Sequence, residues 1–358
     1  MKTRKLLTAL IIATALLSSS CSTNNGKQET KKAKNVILLI GDGMGTAQVY
    51  SLLLTSHEKT AFERFPYSGF SITKSASNEI TDSAAGGTAI AIGKKTINKI
   101  VGMTPDSIPV PSMLELFAEQ GKKTGVVVTC SVTHATPADF IAHNVNRNNN
   151  EEIAMEIANK TKLDVLFGGG KKYFTERKDS LDLLGKMWEN GWNIYDSLPQ
   201  IVDNNARTMV LTCRKHMVKA PERGDYLPKA TAKAVEMLDN EKGFFLMVEG
   251  SQIDFACHDN DSATLVEEMR DFNNTLNVVL DFAEKDGNTL VVVTADHETG
   301  GLSFVDPEGK YTRTDFKWST GSHSAVFVPV FSYGPGAETF SGIMDNTEIL
   351  EKIKNVGR

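Results

Sequence analysis

A chain of 358 residues with 39 basic and 44 acidic side chains, net charge −5, has no basic excess, so nothing in it favours nucleic acid as the main partner. Its four cysteines are too few and too scattered for a disulfide framework. The length suits one large α/β domain or two smaller ones.

Residues 1–20 open with Lys2, Arg4 and Lys5, continue as an apolar run from Leu6 to Leu17 and end in small residues. That pattern predicts a secretory signal, with a run too short for a membrane span. Cys21 follows directly, which predicts lipidation there. The Leu that usually stands three residues before such a Cys is one further back, at Leu17, so a plain cleaved signal is the alternative. Without residues 1–20 the balance becomes 36 basic to 44 acidic, a net of −8. Residues 21–34 read as a polar tether. The expected location is the periplasm of a bacterium or attachment to its outer membrane.

From residue 35 onward, apolar β-branched runs alternate with amphipathic segments. "NVILLIGD" (35–42), "TGVVVTC" (124–130), "GFFLMVEG" (243–250), "NTLVVVTADH" (288–297) and "AVFVPVFSYG" (325–334) read as strands buried on both faces. "PSMLELFAEQG" (111–121), "LPKATAKAVEMLDN" (227–240) and residues 262–287 read as helices. The alternation predicts a three-layer α/β/α fold with a mostly parallel central sheet. The stretch near 162–228 breaks the rhythm and is expected to be an insertion on the catalytic domain 35–358, packed by Trp188 and Trp192.

In an open α/β sheet, ligands gather beyond the carboxyl ends of the strands. The strands deliver, in turn, Asp42, then His134 and Thr136, then Glu249, Asp254 and His258, then Asp296 and His297. His323 precedes the last strand, so either that strand runs antiparallel or its loop crosses back. Taken singly these residues have ordinary explanations: "GDGMG" can be a capped tight turn, Asp296-His297 a satisfied loop pair, Glu249 a charge at a strand end. Asp254 and His258, four apart, share a face if their turn is helical. Together they form an imidazole-carboxylate set that suits zinc, with carboxylates and a hydroxyl that suit magnesium. "TDSAAGGTA" (81–89) adds a serine at the start of a run without bulk.

The ordered segments "GDGMG", "TDSAAGGTA", "THATPADFIAHNVNR", "VEGSQID" followed by His258, "TADHETGG" and "GSHSAVFVPVFSYGPGA" resemble the alkaline phosphatases over residues 41–337. The resemblance implies a metal-dependent phosphomonoesterase of broad substrate range that works through a phosphoserine. It implies two zinc ions and one magnesium per chain. Asp254, His258 and His323 would hold the first zinc, and Asp42, Asp296 and His297 the second. Asp42, Thr136 and Glu249 would hold the magnesium, with His134 beside it. Ser83 would be the nucleophile, Arg147 the bidentate phosphate clamp, and Asp82 the residue that orients it. Dimerisation is common in the family. The chain is short for it, without a crown-like subdomain.

Three departures stand out. Gly86 and Gly87 occupy positions where the family often has Ser or Ala, and each is expected to cost the helix about 0.8–1 kcal/mol relative to Ala. His134 stands where some members have Asp. Phe255 stands where others have Lys, His or Trp, and a phenyl ring cannot reach phosphate through water, so weaker product inhibition is expected. Two other functional classes fit these residues less well. A phosphodiesterase or sulfatase lacks this serine motif with Arg147, Thr136 and Glu249. A lipoprotein that binds metal or phosphate without catalysis would not need Ser83. His57, His143 and His216 are expected at the surface or just outside the site, and Cys257 in the core.

Overall fold

The computed structural model describes residues 32–357 except 161, 201, 202, 204, 311 and 312. Residues 1–20, Cys21 and most of the tether lie outside the described residues. The strands are β1 (Asn35–Gly41), β2 (Tyr67–Ile72), β3 (Lys123–Ser131), β4 (Val165–Gly169), β5 (Trp192–Tyr195), β6 (Arg207–Leu211), β7 (Phe244–Gly250) and β8 (Thr289–Thr294). They continue with β9 (Glu298–Thr299), β10 (Ser303–Val305), β11 (Asp315–Lys317), β12 (His323–Ser324), β13 (Val328–Tyr333) and β14 (Gly342–Asp345). Ten of them form one sheet in the order β14-β2-β13-β8-β1-β7-β3-β4-β6-β5. Within it β13 runs antiparallel to both of its neighbours, and every other pairing is parallel.

The central strand β1 shows why the sheet is covered on both sides. All seven of its residues are buried. Successive side chains point to opposite faces. Val36, Leu38 and Ile40 enter one core with Phe117, Phe140, Ile153 and Ile353, whereas Ile37 and Leu39 enter the other with Val235, Leu265, Phe272 and Leu276. The second core rests on helices Tyr226–Leu238 and Ser262–Asp286. The long helix starts on an Asp261 cap that accepts from Thr264 N, and it stops at Gly287 with φ +66°. Helix Met113–Glu119 begins with a Ser112/Glu115 capping box.

Residues 162–228 supply β4, β5 and β6, which extend the same sheet at one edge. They are therefore continuous with the main sheet and not a body laid upon it. The two tryptophans separate because a helix ends between them. Trp188 lies on helix Leu183–Glu189 and is 72% exposed, whereas Trp192 opens β5, is buried and stacks under the Arg207 guanidinium at 4.2 Å. Among the described residues no helix is long and apolar enough to cross a membrane.

Candidate active site

The parallel strands β1, β3, β7 and β8 all end at one edge of the sheet. The reversed direction of β13 brings its amino end to that edge too. That answers the question raised by His323, which sits in the two-residue strand β12, paired antiparallel with β9 opposite Thr299. Short loops then hold the acids and imidazoles close together.

The "GDGMG" turn works through Gly43. Its φ is +71°, and an added Cβ would stand 2.9 Å from Asp254 Oδ1. Its N–H donates to Asp296 Oδ1 at 3.2 Å, so the turn packs directly on the carboxylates of two distant segments. Asp254 and His258 lie four apart on helix Gln252–His258, with His258 Nε2 3.3 Å from Asp254 Oδ2.

The imidazoles converge in a way that hydrogen bonds alone do not satisfy. His258 Nδ1 lies 2.8 Å from the Gly321 carbonyl, and His323 Nδ1 lies 2.8 Å from the Thr81 carbonyl. Each Nδ1–H therefore donates to backbone, which fixes the rings with both Nε2 atoms turned into the site. Those two Nε2 atoms face each other at 3.2 Å, with the Asp254 carboxylate alongside. His297 repeats the pattern. Its Nδ1 is 3.2 Å from Thr299 Oγ1, which itself donates to Asp254 Oδ1 at 2.5 Å. Its Nε2 then faces Ser83 Oγ at 3.1 Å, Asp296 Oδ2 at 3.1 Å and Asp42 Oδ1 at 3.5 Å. The His297 and His323 rings stack 3.6 Å apart, so the two clusters adjoin.

A third cluster lies at the ends of β3 and β7. One ligand atom each from Cys130, His134 and Glu249 falls within 4.8 Å of the others. Both oxygens of Asp42, Thr136 Oγ1, Glu249 Oε1 and His134 Nδ1 are buried without a hydrogen-bond partner. Buried polar atoms are normally paired, so unsatisfied acceptors in this number call for a cation.

The electrostatics agree. Burial, then the charges of Asp296, Asp254 and Glu249, push the Asp42 carboxyl well above the usual range. Burial pushes Glu249 up to about 7. For Asp254 burial acts upward, but the His258 hydrogen bond and the nearby imidazoles win and hold it below the usual carboxylate range. His258, hydrogen-bonded to Asp254, rises to about 9, and His323 falls to about 4 through burial and the His297 charge. Burial, then Arg147 and His216, lowers His134 to about 3.

Ser83 opens helix Ser83–Ile92, in which all ten residues are buried. Asp82 caps it, with Oδ1 accepting from Ala85 N at 3.0 Å. The other Asp82 oxygen accepts from Arg147 Nη1 at 3.2 Å, while Arg147 Nη2 faces His134 Nε2 at 3.3 Å. Gly86 and Gly87 are positions of close approach, contrary to the propensity expectation. An added Cβ at Gly86 would stand 2.6 Å from the Asp296 carbonyl oxygen, and one at Gly87 would overlap Asp139 Oδ2. Their missing side chains make room for neighbours, and the propensity cost is outweighed.

Every sequence-predicted site residue among the described residues is at this edge; Cys21 lies outside them. Two contributors lie outside the sequence expectation. Thr299 orients both His297 and Asp254, and Asp139 is a buried acid beside the serine helix. His216, expected at the surface or just outside the site, meets the His134 ring edge-on at 5.4 Å. Thr299 and Asp139 stand inside the quoted motifs, but their contacts run to other segments. No spacing links His216 to His134.

The comparisons agree with this geometry. A family profile described as alkaline phosphatase matches residues 33–312. Alkaline phosphatase 4 of Bacillus subtilis is 34% identical, covering 98% of this chain and 95% of the relative. That alignment spans 443 positions, more than the 358 residues here, so the relative carries segments that this shorter chain lacks. The structure of alkaline phosphatase from the Antarctic bacterium TAB5 superposes with a TM-score of 0.87 at 42% identity, covering 91% of this chain and 98% of that one. A variant of that protein with a histidine exchanged for glutamate, solved with magnesium in its M3 site, superposes with a TM-score of 0.86 at 41% identity, covering 91% and 98%. With the fold, the clustered ligands and these similarities in agreement, the chain belongs to the alkaline phosphatase family and is a metal-dependent phosphomonoesterase.

Proposed function

We propose that Ser83 Oγ is the nucleophile and that the reaction passes through a phosphoserine. The observation that carries this is the place of Ser83. Its hydroxyl lies at the amino end of a buried helix, 3.1 Å from His297 Nε2, and next to the Asp82–Arg147 pair. Free backbone N–H groups at the helix start and the Arg147 fork suit the non-bridging oxygens of a phosphate. Asp82 holds Arg147 by one oxygen and the helix by the other, so clamp and nucleophile are kept in register. The Ser83 Oγ–P bond forms as the ester P–O bond breaks and the alcohol leaves with a proton. Water then cleaves the Oγ–P bond, restoring Ser83 and releasing inorganic phosphate. Because recognition centres on the phosphoryl group, the alcohol can vary widely.

The residues fit three metals. Asp254, His258 and His323 would hold a first zinc. Asp42, Asp296 and His297 would hold a second. Asp42, Thr136 and Glu249 would form a third centre, with His134 beside it. The convergence of the His258 and His323 Nε2 atoms and the unsatisfied acceptors of Asp42, Thr136 and Glu249 support that division. When bound, such ions would lower the serine pKa and neutralise charge on the attacking and leaving oxygens.

Hydrolysis of p-nitrophenyl phosphate and of its methyl diester, with and without EDTA, tests the reading together with Ser83→Ala. Monoester cleavage is expected to be EDTA-sensitive and to fall about 10³-fold or more in Ser83→Ala, with metal retained. Full activity in that variant would overturn the mechanism. Residues 1–20 and Cys21 further suggest an exported, lipid-anchored enzyme, periplasmic or attached to the outer membrane. Palmitate labelling that persists in Cys21→Ala would refute the anchor. A homodimer is the assembly proposed from the family, and sedimentation of the purified protein as a monomer would refute it.

A further inference from the structure

We propose that Cys130 is a ligand of the third metal centre, so that this centre takes a zinc-type ion in preference to magnesium. The inference rests on the phosphatase reading above and concerns the donor set of one of its sites. Cys130 stands next to last in β3, beside the end of β7 that carries Glu249. Its Sγ lies 3.4 Å from Glu249 Oε2, and both residues are fully buried. The other Glu249 oxygen, Oε1, has no partner, nor do Thr136 Oγ1 and His134 Nδ1. Sulfur, imidazole nitrogen and carboxylate oxygen thus meet within 4.8 Å.

That spread fits one ion. Zinc binds sulfur at about 2.3 Å and nitrogen or oxygen at about 2.0–2.2 Å, so its ligand atoms stand several ångströms apart around it. The His134 ring is already oriented. Arg147 Nη2 faces its Nε2, and the Phe255 and His216 rings meet it edge-on at 5.8 and 5.4 Å. This leaves Nδ1 as the ring nitrogen without a partner.

Chemistry then selects the metal. Magnesium takes an all-oxygen octahedral shell and keeps several waters, whereas thiolate and imidazole favour zinc-type ions. A serine or alanine at this position would leave the oxygen donors dominant. Binding replaces the thiol proton with the metal. The proton passes to solvent and no redox change occurs.

The test uses the full enzyme with its metals exchanged for cobalt(II). With three cobalt ions bound, the wild type is expected to show a near-ultraviolet thiolate-to-cobalt charge-transfer band. The band should vanish in Cys130→Ser and Cys130→Ala and persist in Cys257→Ser and Cys213→Ser. In parallel, metal analysis after dialysis against mixed zinc and magnesium should show the third-site preference for zinc fall about ten-fold or more in Cys130→Ser. Three bound cobalt ions without the band in the wild type, or an unchanged zinc preference in Cys130→Ser, overturns the inference and leaves the phosphatase reading intact. Failure of the wild type to bind metal and to cleave monoesters overturns both.

Discussion

Gly86→Ala tests how tightly the nucleophile helix is seated. By helix propensity alone the change should stabilise the protein by about 0.8–1 kcal/mol. The structure reverses the sign. The new Cβ would stand 2.6 Å from the Asp296 carbonyl oxygen and 3.3 Å from Asp296 Cβ. The nearer atom is backbone and cannot swing aside, so either the helix or the Asp296 loop must shift. Overpacking of this kind costs about 1–3 kcal/mol, which leaves a net loss of roughly 0–2 kcal/mol. The displacement falls on Asp296, which packs against Gly86, itself three residues along the helix from Ser83. Misplacement by about 1 Å can cost about 10²-fold in rate. The expected result is kcat lowered about 10- to 100-fold, lower retained metal and a lower urea midpoint. Gly87→Ala should be milder in kcat, because its Cβ meets the tip of the Asp139 side chain. A Gly86→Ala protein that is about 1 kcal/mol more stable with unchanged kcat would refute the close-packing account.

Three further outcomes are expected. Asp82→Asn keeps a good helix cap but removes the charge that holds Arg147, so KM for monoesters should rise while thermal stability changes little; Asp82→Ala should in addition lose about 1 kcal/mol of stability. Phe255→Lys should tighten inhibition by inorganic phosphate, since the ring lies beside His134, and a constant that does not tighten would overturn the expectation that Phe255 weakens product inhibition. Arg223 lies between two buried acids, Glu268 and Asp271, and burial raises the Asp271 carboxyl to about 6. A carboxyl raised on folding binds its proton more tightly in the native state, so stability falls as pH rises from about 4 to 6. Across that window Asp271→Asn should gain on the wild type by on the order of 2–3 kcal/mol in urea unfolding, and parallel pH profiles would contradict it.

Much of this protein was determined locally along the chain. The apolar runs at 35–41, 244–250 and 289–294 are buried on both faces wherever they pair, so their strand state follows from local pattern and the layered fold from their alternation with helices. Strand-end chemistry was legible for the same reason. A parallel sheet must deliver Asp42, Glu249 and Asp296 to one edge whatever the order of its strands. The short Asp254-His258 spacing needed only one helical turn.

Tertiary structure alone decided the rest, because the deciding distances run between segments far apart in sequence. The antiparallel course of β13 places His323 against Thr299, and nothing within "GSHSAV" encodes that direction. Residues 162–228 became sheet edge because β4 found β3, a pairing across about 40 residues that local pattern cannot specify. Gly86 and Gly87 read as weak helix formers until the Asp296 backbone and Asp139 filled the space above them. Cys130 is one of four scattered cysteines along the chain, and only the neighbouring strand β7 sets Glu249 beside its sulfur.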